Sequence, residues 1–201
     1  MNAKPLRKMN NVMRWVLPLI AVAVLVAAPN HGAVAGDNKV EDGSFEAGRN
    51  SGFWKEKSTN FGTPICIVSS PSEVPCGDGE GTALPRTGVY WAWFGGADTF
   101  VEKGSLTQNV KFPSGGSAKL RFYLWIGDSS PDGKDSLTVL VDGQKVFKVK
   151  ENNTGYSSYT LVQKNLDQFA DGQRHKVQFK NRCTGDGNSN MSVDDISITA
   201  D

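Results

Sequence analysis

The chain has 201 residues, three cysteines and nearly balanced charge, with 22 Lys and Arg against 21 Asp and Glu. It is long enough for one domain with a real core. Its basic residues match no nucleic-acid-binding motif, and no nucleic-acid partner is expected.

The first 35 residues read as a targeting segment. Lys4, Arg7, Lys8 and Arg14 form a basic head, residues 15–28 are apolar apart from Pro18, and Ala33-Val34-Ala35 supplies a small-residue cleavage signal. The apolar run is shorter than the roughly 20 residues a spanning helix needs. This is the pattern of a secretory signal peptide over 1–35, followed by one domain over 36–201. The mature chain is then secreted or periplasmic, with no membrane anchor after cleavage. Loss of the four basic residues changes the formal charge from +1 to −3.

The exported part opens on Val40-Glu41-Asp42-Gly43-Ser44-Phe45-Glu46 and closes on Val193-Asp194-Asp195-Ile196-Ser197-Ile198. Asp194 alternates with Ile196 and Ile198, so strict alternation puts the carboxylate on their core-facing side. A buried charge needs a cation, a set of hydrogen bonds or protonation. An acidic first strand meeting an acidic last strand points to a shared structural Ca2+ and a closed sandwich. The other reading has Asp194 and Asp195 hydrogen-bonding loop amides.

Cys66 and Cys76 flank a Ser- and Pro-rich loop, and an oxidising compartment predicts a Cys66–Cys76 disulfide. Cys183 is left over, either as a buried thiol or as a link to another chain.

Between these ends, alternating runs are separated by Gly, Asp, Asn and Pro. Strands are predicted over 88–94, 106–112, 118–126, 136–141, 145–150, 158–164, 175–181 and 191–199. Asp142-Gly143 marks a tight hairpin. Many strands and no helical period predict an all-β, two-sheet antiparallel sandwich or jelly roll. In 118–126, Leu120, Phe122, Leu124 and Ile126 share the core side, and Arg121, Tyr123 and Trp125 share the other. Val177 and Phe179 face Lys176, Gln178 and Lys180 across their strand. Tyr90, Trp91 and Trp93 put aromatics on both faces of 88–94, as in a strand buried on both sides or one bordering a cleft. Gly95-Gly96 then allows a sharp turn.

These segments resemble galactose-binding-like jelly rolls, a superfamily that includes bacterial carbohydrate-binding modules. The likeness rests on Glu41-Asp42-Gly43-Ser44-Phe45-Glu46, on Pro85-Arg86-Thr87-Gly88 with Trp91-Ala92-Trp93-Phe94-Gly95-Gly96, on Leu137-Thr138-Val139-Leu140-Val141-Asp142-Gly143, and on the closing Asp194-Asp195-Ile196. It implies a structural Ca2+ held by Glu46 and Asp194, with Asp42 and Asp195 as further ligands. Glu41-Asp42 stands where the family often has Asn. No sugar-contacting residue transfers by resemblance.

No G-x-S-x-G elbow, zinc-spaced Cys/His set or marked carboxylate pair is present, and the lone mature histidine, His175, reads as structural. The expected function is non-catalytic binding of an extracellular glycan or cell-surface polymer. An aromatic platform of Arg121, Tyr123 and Trp125 is the first candidate site, and a cleft at Tyr90, Trp91 and Trp93 the second. Adhesion to a protein partner is the alternative, and a glycan-active enzyme the third reading.

Overall fold

The computed structural model describes residues 37–68, 76, 83–96 and 99–200. The expected signal peptide and its cleavage site lie outside the described residues.

Ten strands follow in chain order. They are β1 (Lys55–Lys57), β2 (Ile65–Ile67), β3 (Tyr90–Gly95), β4 (Ser105–Lys111), β5 (Lys119–Ile126), β6 (Ser136–Val141), β7 (Gln144–Lys150), β8 (Thr160–Asn165), β9 (Arg174–Arg182) and β10 (Asn190–Thr199). All pairings are antiparallel. They build two five-stranded sheets, β1-β4-β9-β6-β7 and β2-β3-β10-β5-β8. The all-β sandwich is the expected architecture, and each predicted strand corresponds to one observed. Two short strands, β1 and β2, carry too few residues to show alternation. Among the described residues helix is limited to two single 3-10 turns, Thr154–Tyr156 and Asp167–Phe169.

The alternating rows fill the core. Leu120, Phe122 and Leu124 of β5, with Val193 and Ile198 of β10, face Leu137, Val139 and Val141 of β6 and Phe179 of β9. Burying one such side chain is worth about 1.5–3 kcal/mol. Phe122 stands edge-on to Phe179 at 5.2 Å and to Phe147 at 5.5 Å, tying the sheets together. Trp54 packs between Phe45 and Phe179 and closes one end. The hairpin at Asp142-Gly143 has positive φ at both residues, as a tight type I′ turn requires. His175 bridges that hairpin to the turn at Asp171, with Asp142 at 2.6 Å and Asp171 at 2.9 Å from its two ring nitrogens. The ring thereby clasps the hairpin to the turn.

The two ends meet, but not as paired strands. Residues 37–50 form successive turns laid along β10. Lys39 N donates to Ile198 O and Ile196 N to Gly43 O, both at 2.8 Å. Asn38 Oδ1 accepts from the Val40 and Ile198 amides. The expected first strand is therefore a turn-rich strap.

The closing strand carries a second departure. Its register with β5 shifts between Asp194 and Ser197, and Asp195 has φ 52°. A bulge inserts one residue and reverses the alternation. Val193 and Ile196, three apart, both enter the core. Asp194, paired with Tyr123, lies on the outer side of the sheet. The core placement expected from strict alternation is corrected by this bulge.

Candidate functional site

The segment 83–88 crosses the outer face of the β2-β3-β10-β5-β8 sheet, and Asp194 holds it there. Asp194 Oδ2 accepts from the Arg86 and Thr87 amides at 2.8 and 3.1 Å, and Oδ1 from the Asp195 amide at 2.8 Å. Burial pushes its pKa up to about 7, although these N–H donors favour the charged form. Asp195 takes the Arg86 guanidinium at 2.5 Å and the Thr87 hydroxyl at 2.6 Å. Glu46 accepts from the Val89 and Tyr90 amides. Asp42 Oδ1 accepts from the Ala47 amide, while its Oδ2 is buried without a hydrogen-bond partner.

This arrangement does not fit a calcium ion shared by Asp42, Glu46, Asp194 and Asp195. Ca2+ takes roughly six to eight oxygen ligands, and the oxygens of Asp194 and Glu46 already face N–H donors. Among the described residues no three acidic, His or Cys side chains converge on a common point. Asp194 follows the hydrogen-bonded alternative, accepting from the loop amides of Arg86 and Thr87, whereas Asp195 takes side chains of the same two residues. Melting is therefore expected to be the same in EDTA and in excess Ca2+. A chelator-induced fall would reverse this assignment and bring in the orphaned oxygen of Asp42, since binding to the folded state alone stabilises it by mass action.

The same crossing segment alters the expected aromatic platform. The Arg86 guanidinium lies 3.4 Å from the centroid of the Tyr123 ring, and Trp125 packs edge-on to Tyr159 at 5.6 Å. Arg121 Nη1 donates to Thr199 Oγ1. Tyr123, Trp125 and Arg121 are neighbours on one face as predicted, but they do not form an open flat patch. One ring face is occupied by an arginine from a loop whose path alternation cannot reveal.

The second predicted cluster divides. Trp91 is fully buried and its indole N–H has no partner. Tyr90 packs on the other side of β3, against the core. Trp93 alone lines a cavity, of about 460 Å³, with Arg49, Phe61, Thr63, Gly95 and Gly96 and the Cys66–Cys76 disulfide. That disulfide is present as expected, with Cα atoms 5.4 Å apart. Cys183 is unbridged and buried, the first of the two placements expected for it, and burial pushes its thiol pKa up to about 12.

Local geometry explains the cavity. Gly95 ends β3 at φ 122°, where an added Cβ would sit 1.7 Å from Ser189 O. At Gly96, φ 72°, an added Cβ would sit 3.2 Å from the Trp93 ring. Trp93 Nε1 donates to Asn190 Oδ1 at 3.1 Å, which fixes the indole plane. Arg49 is held by Nε donating to Ile65 O at 2.9 Å. Phe61, 50% exposed, stands 6.0 Å from Phe100 at the rim. Arg49, Phe61 and Thr63 were not singled out from sequence. The only signal for Phe61 and Thr63 is a large aromatic inside the polar stretch Lys57-Ser58-Thr59-Asn60-Phe61-Gly62-Thr63, and Arg49 has none.

No family model matches the sequence, and no curated protein matches it. Among solved structures the fold is similar to TmCBM61 in complex with beta-1,4-galactotriose, with a TM-score of 0.55 and 17% identity over 83% of this chain and 100% of that one. The CBM22-1 xylan-binding domain of Paenibacillus barcinonensis Xyn10C matches at TM-score 0.44 and 12% identity, over 83% and 96% of the two chains. The cleaved adhesin domain of Lys-gingipain from Porphyromonas gingivalis matches at TM-score 0.47 and 10% identity, over 74% and 90%. The likeness to TmCBM61 establishes a shared β-sandwich fold.

Proposed function

We propose that this chain is an exported, non-catalytic glycan-binding domain whose sugar site is the Arg49–Phe61–Trp93 cavity. The observation that carries the reading is Trp93, partly buried on the wall of a cavity that also holds a guanidinium, a hydroxyl and a second aromatic ring. Sugar rings present apolar C–H faces to aromatics and hydroxyls to a few fixed polar groups. Arg49 and Thr63 supply such groups here. Glycoside hydrolysis needs two carboxyl groups flanking the bond, and no carboxylate is among the described residues lining this cavity. The basic, apolar and Ala-Val-Ala succession of residues 1–35 supports export, as does the disulfide. Calcium has no part in this reading.

The β-1,4-galactotriose bound to TmCBM61 makes β-1,4-galactan the first ligand to test, alongside a glycan array. Phe61→Ala and Trp93→Ala are each expected to weaken glycan binding about tenfold or more, since loss of one stacking ring costs about 1–3 kcal/mol on bases. Phe61→Ala should leave melting unchanged, because the ring is half in solvent. Trp125→Ala should change stability and not affinity. Wild-type binding retained in both cavity variants, or no glycan bound by the wild type, would reject the site.

A protein-adhesion reading is favoured by one observation, the exposed Phe61–Phe100 pair at the rim. Its signature would be a partner lost on Phe100→Ala with glycan binding intact.

A further inference from the structure

The opposite sheet carries a second surface that the cavity reading does not use. Its outward positions gather lysines. Lys55 and Lys57 of β1 pair with Thr107 and Ser105 of β4. Those residues pair in turn with Gln178 and Lys180 of β9, and Asn109 pairs with Lys176. Together they line a shallow groove of about 400 Å³ running across three strands. The cationic character continues onto the far edge, where Lys148 and Lys150 of β7 stand beside Thr138 and Ser136, and Ser136 also pairs with Arg182.

The four groove lysines are all exposed. Among the described residues none of them is in an ion pair, whereas Lys134, Arg86 and His175 all are. No Asp or Glu occupies an outward position on these five strands. Glu56, between Lys55 and Lys57, points to the other side and accepts from the Asn50 amide and, through its second oxygen, from Thr63 Oγ1. A chain of nearly balanced charge thus gathers several of its cations, with no outward carboxylate among them, on this sheet face. The acidic side chains described above lie on loops, at turns and on the other sheet. Adjacent strands are about 4.8 Å apart and alternate residues about 7 Å apart. The groove ammonium groups therefore lie within one or two Debye lengths of one another at physiological salt, roughly 8 Å each. They act as one field on a multivalent anion.

We propose that this face of the β1-β4-β9-β6-β7 sheet binds an anionic polysaccharide, a glycan chain carrying carboxylate or sulfate groups. The groove alternates ammonium groups with hydroxyls and carboxamides, from Ser105, Thr107, Asn109 and Gln178. That lining suits a polymer bearing both anions and hydroxyls. It holds no aromatic ring, so it lacks the stacking platform that single-stranded nucleic acids use. It presents no exposed apolar side chain for a lipid surface, Leu140 being half-buried. The site is separate from the Arg49–Phe61–Trp93 cavity and does not depend on it.

The purified full chain is titrated with polygalacturonate, with chondroitin sulfate, with neutral galactan and with mixed-sequence duplex DNA, at 50 and 300 mM NaCl. The expected result is binding of at least one acidic polysaccharide, weakened tenfold or more by the higher salt, as counterion release requires. Lys176→Gln with Lys180→Gln, and separately Lys55→Gln with Lys57→Gln, should each weaken it at least fivefold without moving the melting temperature. Lys176→Arg with Lys180→Arg should retain it. Phe61→Ala should leave it unchanged, which separates this surface from the neutral-glycan cavity. No binding of either acidic polysaccharide at 50 mM salt would overturn the proposal. So would equal binding by the glutamine variants, or DNA bound as tightly as the acidic polysaccharides.

Discussion

Gly43→Ala is expected to destabilise the domain by about 3 kcal/mol, the upper end of the range for overpacking a well-packed site. A Cβ at this position would lie 1.9 Å from the carbonyl oxygen of Ile196 and 2.9 Å from its carbonyl carbon. The obstacle is backbone on both sides, so no rotamer change can relieve it. The same contact carries the 2.8 Å bond from Ile196 N to Gly43 O, and the preceding residue accepts from the Trp54 indole at 2.9 Å. Displacing Gly43 would therefore loosen the strap along β10 and the Trp54 plug together. The check is the urea midpoint, with Gly155→Ala as control. At Gly155 the new Cβ would meet only the far end of the Asn153 side chain, at 3.1 Å, and a surface change of that kind is usually within about 0.5 kcal/mol. If Gly43→Ala unfolds at the wild-type midpoint, the close approach of the two ends is not what closes this sandwich.

The sequence carries the sandwich well because most strands have one face on the core. Leu120-Phe122-Leu124 and Val177-Phe179 show period two without ambiguity, and the Asp142-Gly143 turn fixes a register. Period two fails wherever the chain stops being a regular strand. The bulge at Asp195 puts Asp194 on the face opposite Ile196, which keeps its expected place in the core, and nothing in Asp194-Asp195 marks a φ of 52° in advance. Val40-Glu41-Asp42-Gly43-Ser44-Phe45-Glu46 reads as an acidic first strand, yet it forms turns, because Asp42 and Phe45 adopt positive φ. Tyr123 and Trp125 lie on the outer face as alternation predicts. Their covering by Arg86 and Tyr159 depends on loop paths that only the tertiary structure sets. Arg49, Phe61 and Trp93 come from three segments brought together by the short strand β2, whose three residues are too few to read. The lysine face is half legible. Lys176-Gln178-Lys180 alternate visibly, but the strand order that sets Lys55 and Lys57 near them is not local information.

Asp194→Ala should produce the other large effect, a loss of about 3 kcal/mol together with release of the segment over the outer sheet face. The carboxylate is fully buried and accepts three backbone N–H groups, from Arg86, Thr87 and Asp195. Leaving a buried donor without its acceptor costs about 1–3 kcal/mol each. Three such losses will not add in full, because the Arg86–Thr87 backbone can lift away and meet water. That lifting is itself the specific consequence. Arg86 would leave the Tyr123 ring, and the Tyr159 hydroxyl would lose the Leu84 carbonyl it now reaches at 2.9 Å. Hydrogen exchange at the Arg86 and Thr87 amides should accelerate far more than exchange across β5 and β9. Near-ultraviolet circular dichroism should change through Tyr123, Trp125 and Tyr159. Asp194→Asn keeps one acceptor oxygen but turns an amide N–H2 toward N–H donors, so it should fall between alanine and wild type. Neutral-glycan binding in the Arg49–Phe61–Trp93 cavity should survive in the folded fraction of both variants. A variant that melts within about 0.5 kcal/mol of wild type, with unchanged exchange at Arg86 and Thr87, would show that Asp194 does not hold this segment in place.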